Sequence, residues 1–151
     1  MVVHKGTIKM LRNINPILSP DLLYALRAMG HGDEIALVDS NFPAESLGPS
    51  CVRADGSDNS LILKAVLEVM PLDTFVPDPA LCMQVVDNPQ SVPDTVKDFQ
   101  AIINDTSDAP RQIQSLERFS FYERAAKAFA VVQTGERRLY GNIILKKGVI
   151  R

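Results

Sequence analysis

Apolar positions along the chain alternate between two spacings. From Ser19 to Gly30, Leu22, Ala25, Leu26 and Met29 fall at i, i+3, i+4 and i+7, the signature of a helix with one apolar face. Ser19 is a candidate N-cap, Pro20 suits the first turn and Gly30 suits the C′ position. Ile35–Val38 is then a short continuous apolar run, which predicts a strand covered on both faces. Helical spacing returns in "SDNSLILKAVLEVM" (57–70), stopped by Pro71, and in "DTVKDFQAIIND" (94–105). "SFYERAAKAF" carries Ser120 and Glu123 in capping-box order. Between these helices, "LCMQVV" (81–86) reads as a strand and "QIQSLERF" (112–119) as a weaker one, with a short strand at Cys51–Arg53 inside the loop 41–56. The end of the chain predicts a strand, a Thr-Gly turn and a second apolar strand containing Tyr140-Gly141-Asn142. Helices alternating with short buried strands predict an α/β fold. Residues 1–9 read as a flexible extension and residues 10–151 as one domain.

Composition narrows the class. Of the 151 residues, 46% are hydrophobic and 23% charged, which suits one globular domain with a real core. A net charge of −2 argues against a nucleic-acid partner. No apolar run approaches the ~20 residues of a membrane span, and "MVVHKGTIKM" lacks the core of a signal peptide. Cytoplasmic location is the expectation. Cys51 and Cys82 have no metal spacing and read as free thiols in a reducing compartment.

The candidate chemistry is sparse. His31, one of two histidines, lies between Gly30 and Gly32. A histidine's ordinary pKa of ~6.5 lets it give or take a proton near neutrality, although a turn histidine bonded to backbone is the plainer reading of this segment alone. Asp39 ends the first strand, where ligands gather in open α/β sheets. A turn-starting aspartate explains it equally. Arg53, Arg118 and Arg124 offer guanidinium forks for a polar ligand or simple surface ion pairs. Tyr140 and Asn142 supply donors and acceptors, and Gly141 between them marks either a bulge or a close approach of ligand. Motifs for nucleotides, dinucleotides, zinc proteases and serine hydrolases are missing. The inventory suits a neutral polyhydroxyl ligand and no cofactor.

Four segments in order, "SPDLLYALRAMGHGDEIALVDSNFPA", "VRADG", "RFSFYERAAKAFAVVQTGE" and "YGNIILKKGV", resemble the fucose mutarotase branch of the ribose pyranase/fucose mutarotase family. The likeness runs from about residue 14 to 150 and is weakest over 77–112. Ribose-type members are similar but differ at Gly32, at Gly141 and in "FYERA". The resemblance implies a compact sandwich with a mixed or mostly parallel central sheet. It implies cofactor-free interconversion of the α and β anomers of a free sugar, L-fucose foremost. It also implies assembly into a ring-like homo-oligomer, a decamer of two stacked pentamers. Carried over by position, His31 matches the proton donor, while Asp39, Arg118, Tyr140, Gly141 and Asn142 match the substrate-binding residues. Tyr140 or a bound water is then the candidate for the second proton transfer. The rival expectations are a ribose pyranase-type enzyme and a non-catalytic sugar-binding accessory protein.

This assignment carries a geometric difficulty. If 35–38 is extended, ~3.3 Å per residue puts His31 and Asp39 roughly 15 Å or more apart. Either the 30–34 turn folds back over the sheet, or two subunits each supply part of one site. The second alternative is the expectation.

Overall fold

A computed structural model describes residues 10–151; the expected extension over 1–9 lies outside these. Four helices and six strands follow one another as α1 (Pro20–Ala28), β1 (Glu34–Val38), β2 (Ser50–Ala54), α2 (Asn59–Val69), β3 (Ala80–Met83), α3 (Asp94–Thr106), β4 (Gln114–Leu116), α4 (Arg118–Ala126), β5 (Ala130–Thr134) and β6 (Ile143–Lys146). A 3₁₀ turn at Glu45–Leu47 interrupts the first long loop.

The strands form one sheet in the order β2-β5-β1-β6-β3-β4. The pairs β2·β5, β5·β1 and β3·β4 are parallel, and β6 runs antiparallel between β1 and β3. The sheet is therefore mixed, and β6 alone opposes the common direction.

Alternation along β1 explains the layers. Ile35 and Leu37 join a core with Leu22 and Leu26 of α1, Ile62 and Val66 of α2 and Phe99 of α3. Ala36 and Val38 join a second core with Phe121 and Ala125 of α4. Successive strand side chains point to opposite faces, so a run that is apolar at every position belongs at the sheet centre. Three helices cover one face and one covers the other.

The expected α1 cap is present: the Ser19 hydroxyl accepts from the Leu22 N–H at 3.2 Å, with Pro20 at the first helical position. Three local expectations change. The glycine with left-handed backbone in the turn after α1 is Gly32, at φ 87°, not Gly30. Met29 is extended and caps the helix through its own N–H, so Gly30 is not needed as a left-handed stop. Helix α4 begins before Ser120, because the Glu117 carboxylate accepts from the Phe119 and Ser120 N–H groups; Ser120 is inside the helix rather than at its cap. Tyr140-Gly141-Asn142 precedes β6 instead of lying within it. Tyr140 adopts φ 58°, which a strand does not accommodate.

The loop between β5 and β6 starts at a close backbone approach. A Cβ on Gly135 would lie 2.1 Å from the Asp55 carbonyl oxygen, and the Gly135 N–H donates to the Ser57 carbonyl at 2.8 Å. Gly56, by contrast, has open space where a Cβ would stand. Gly135→Ala is expected to cost about 1–3 kcal/mol through this clash, while Gly56→Ala stays within about 1 kcal/mol of the parent. Urea unfolding of the two variants beside the parent checks the contrast.

Candidate functional site

Because five strands share one direction, their carboxyl ends line one rim of the sheet, and β6 starts at that same rim. A cleft of about 210 Å³ opens there, bordered by Asp39, Phe42, Arg118, Tyr122, Tyr140 and Asn142. It lies where β6 separates the neighbouring parallel strands β1 and β3, the kind of crevice in which α/β sheets hold ligands. Four of the expected binding residues thus meet around one opening, and Gly141 sits buried between two of them.

Backbone hydrogen bonds position these groups. The Asp39 N–H donates to Asn142 Oδ1 at 2.8 Å, and the Gly141 N–H donates to Asp39 Oδ2 at 3.2 Å. Asp39 Oδ1 accepts from the Asn41 N–H at 3.0 Å. Gln133 donates to the Asp39 carbonyl. Burial pushes the Asp39 carboxyl above its ordinary pKa, against the opposing pull of the Asn41, Gly141 and Phe42 amides and of the Asn142 side chain. Each carboxylate oxygen keeps capacity for a further donor, so Asp39 can take sugar hydroxyls without losing its backbone partners. The Tyr140 phenol oxygen accepts from the Val86 N–H at 3.1 Å, which leaves its proton free to donate into the cleft. Arg118 has no carboxylate partner among the described residues and stands 4.7 Å from the Phe119 ring centroid.

His31 is elsewhere. The turn after α1 stays at the opposite rim: the Gly32 N–H donates to the Lys147 carbonyl, and the Lys147 N–H to the Asp33 carbonyl, both at 2.9 Å. Asp39 meets Asn142, so the length of β6, at ~3.3 Å per residue, lies between the two. The turn does not fold back over the sheet. His31 Nε2 instead pairs with Asp73 Oδ1 at 2.9 Å, and its ring lies 4.9 Å from that of Phe75. The imidazole is 42% exposed while Asp73 is 2% exposed, so the ring presents to the surface with a buried carboxylate behind it. Burial pushes Asp73 up, but His31 and the Phe75 and Thr74 amides outweigh it and hold the carboxyl below its ordinary range.

The other arginine candidates are structural. Arg53 pairs with Glu45 at 3.4 Å and Asp55 at 3.0 Å on an exposed surface. Arg124 makes a two-pronged bond to Glu34 at 2.6 and 2.9 Å, tying α4 to β1. Cys82 is buried and Cys51 half-buried, both free thiols. Among the described residues, no group of three metal-ligating side chains gathers, and no helix is long and apolar enough to cross a membrane.

Sequence reasoning missed Asp73, which follows His31 by 42 positions with no spacing rule to connect them. It also missed Tyr122, hidden within the quoted "FYER" segment, and Thr95, whose hydroxyl donates to the Tyr140 carbonyl at 3.1 Å.

The His31–Asp73 pair makes a pH-dependent expectation. A carboxyl held low in the folded state contributes stability above its unfolded pKa, and that contribution is lost as pH falls through the folded value. With His31→Ala, burial loses its main opponent, so the Asp73 midpoint moves up and acid unfolding begins at higher pH. Carboxyl ¹³C NMR titration with parallel circular dichroism checks both shifts.

Comparisons with known proteins identify the lineage of the chain as a whole. The family model for the RbsD / FucU transport protein family matches residues 12–150. The fucose mutarotase of Mus musculus is 50% identical over 146 residues, covering 93% of this chain and 95% of that protein. The human fucose mutarotase is 49% identical over 146 residues, covering 93% and 94%. The crystal structure of the fucose mutarotase from Streptococcus pneumoniae in complex with L-fucose superposes with a TM-score of 0.87 at 42% identity, covering 93% of this chain and all of that one. A model that matches almost the whole described chain, with half-identity to curated members, settles the lineage: the chain belongs to the RbsD / FucU family.

Proposed function

We propose that this protein is a cofactor-free sugar mutarotase that interconverts the α and β anomers of L-fucose. The observation that carries the reading is the half-identity to fucose mutarotases along nearly the whole chain. The polar cleft at the sheet rim supplies a physical account of how it works.

Mutarotation of a pyranose needs two proton movements. The ring oxygen gains a proton as the anomeric hydroxyl loses one; the C1–C2 bond rotates, and the ring closes on the other face. Both transfers require groups of moderate pKa within hydrogen-bond reach. His31 protonates the ring oxygen. Asp73 behind it fixes the orientation of the imidazole through its bond to Nε2, as a carboxylate does for a catalytic histidine. Asp39, Arg118 and Asn142 hold the remaining hydroxyls, and Gly141, with no Cβ, lets its backbone pack close enough to donate to Asp39. The anomeric proton goes to a water that Tyr140 orients, or to Tyr140 itself as the phenol passes its own proton on to such a water. The reaction already runs in water, so orientation supplies much of the gain.

His31 and the cleft lie at opposite rims of one chain, and one sugar cannot bridge them. The catalytic unit is therefore an assembly in which one copy's His31 faces its neighbour's cleft, in a ring-like homo-oligomer such as a decamer. The exposed, carboxylate-backed imidazole suits a histidine that acts on a sugar held by another subunit. Location in the cytoplasm fits free thiols and a free-sugar substrate.

Exchange NMR of anomer interconversion with L-fucose and D-ribose in parallel tests the reading. The parent is expected to accelerate L-fucose more than D-ribose, and His31→Ala is expected to lose about 100-fold or more of the acceleration. Full activity in His31→Ala overturns the mechanism. A ribose preference replaces the fucose assignment, and binding without acceleration leaves a sugar-binding accessory protein. Co-assembly of inactive His31→Ala and Arg118→Ala chains is expected to recover activity, because mixed interfaces contain intact sites; no recovery overturns the shared site.

A further inference from the structure

The cleft's most unusual backbone is the segment that holds it together. Tyr140 is a non-glycine residue at φ 58°, a conformation that costs of order 1 kcal/mol or more unless its surroundings enforce it. At Gly141 a Cβ would stand 2.6 Å from Glu136 Cγ and 3.4 Å from Asp39 Cβ. The segment is thus pressed onto the Glu136 side chain, which is 4% exposed.

Glu136 does not stand there alone. Arg138 donates to its carboxylate from Nη2 at 2.9 Å, from Nε at 3.4 Å and from the backbone N–H at 3.3 Å. The same guanidinium reaches Asp98 of α3 at 2.7 Å and Ser60 of α2 at 3.3 Å. Those helices grip the segment a second time. Thr95 of α3 donates to the Tyr140 carbonyl, and Asn59 of α2 donates to the Gly141 carbonyl at 2.7 Å. Arg138 itself does not border the cleft.

We propose that Arg138 is a positioning residue: by clamping the buried Glu136 to α2 and α3, it holds Tyr140-Gly141-Asn142 in the geometry that binds the sugar. An exposed ion pair such as Arg138–Asp98 contributes little by itself. Removing the arginine, however, leaves Glu136 as an unpaired buried charge beneath Gly141, and such a charge is strongly unfavourable. It can leave only by lifting the loop or by taking a proton. The charged groups that bear on Glu136 are Arg138 on its own loop, Asp39 across Gly141, and Asp98 of α3 through the guanidinium.

This gives a pH signature with a definite sign. Arg138 holds the Glu136 carboxyl below its ordinary pKa against the upward push of burial, so the parent loop is insensitive to pH near neutrality. Without Arg138, burial dominates and the carboxyl titrates higher. Arg138→Met is expected to raise KM for L-fucose about fivefold or more above neutral pH, and to lower kcat by a smaller factor because Tyr140 moves with the segment. The KM ratio to the parent shrinks as pH falls and Glu136 becomes neutral. Adding Glu136→Gln to Arg138→Met returns KM towards the parent and removes the pH dependence; Arg138→Lys restores part of the parent KM.

The inference rests on the mutarotase reading for its kinetic arm, so a sugar-free measurement separates the two. The Gly141 amide, bonded to Asp39, is expected to exchange with solvent faster in Arg138→Met and to recover in the double variant. If the parent does not act on L-fucose yet this exchange pattern appears, the mutarotase reading fails and the clamp stands. Unchanged KM and unchanged Gly141 exchange in Arg138→Met overturn the clamp. A raised KM that neither varies with pH nor responds to Glu136→Gln overturns it as well.

Discussion

Strand β1 fixes the geometry on which every other feature depends. It is buried on both faces and paired on both edges, by β5 on one side and β6 on the other. Such a strand cannot bend or slide without exposing core or breaking ladders, so it acts as a rigid spacer. His31 precedes it and Asp39 follows it. The expected proton donor and the expected hydroxyl-binding residues are thereby held at a set separation within a chain, and the proposed shared site between copies would reconcile that separation with one small substrate.

At the cleft rim, the polar groups are held by a dense set of reciprocal bonds. The Asp39 backbone leans on the Asn142 side chain, and the Asp39 side chain receives the Gly141 backbone. Thr134 donates to the Val38 carbonyl at 2.7 Å, and Gln133 to the next carbonyl. Buried networks of this kind are rigid when every member has a partner. Asn59 is the exception, since its Oδ1 has no partner among the described residues although its amide NH₂ bridges the Leu37 and Gly141 carbonyls.

Much of this was legible in the chain, and the limits have physical causes. The helices showed through their apolar spacing, and β1 through its unbroken run, because burial on two faces demands an apolar residue at every position. The clustering of Asp39, Arg118, Tyr140 and Asn142 followed from order-matched segments and the rule that ligands sit at strand carboxyl ends. Local rules failed where a competing side chain won. Glu117 displaced Ser120 as the cap of α4, and the left-handed Tyr140 kept its segment out of β6. Asp73, Thr95, Asn59 and Arg138 left no trace, because these partners are 40 to 82 residues away or belong to a loop whose path the spacing did not reveal.

The pairing of β1 has a consequence for how the chain is made. Its two neighbours, β5 and β6, come from residues 130–134 and 143–146, long after β1 at 34–38. Until they emerge from the ribosome, the central strand has no partner on either edge, and the helices before them have no completed sheet to pack on. Partly made chains therefore present an apolar, unpaired strand until those residues are made, the kind of surface that chaperones shield. The sheet closes only then, and Asp39 meets Gln133, Gly141 and Asn142 at that moment, so the cleft at the sheet rim is among the last parts of the described fold to form.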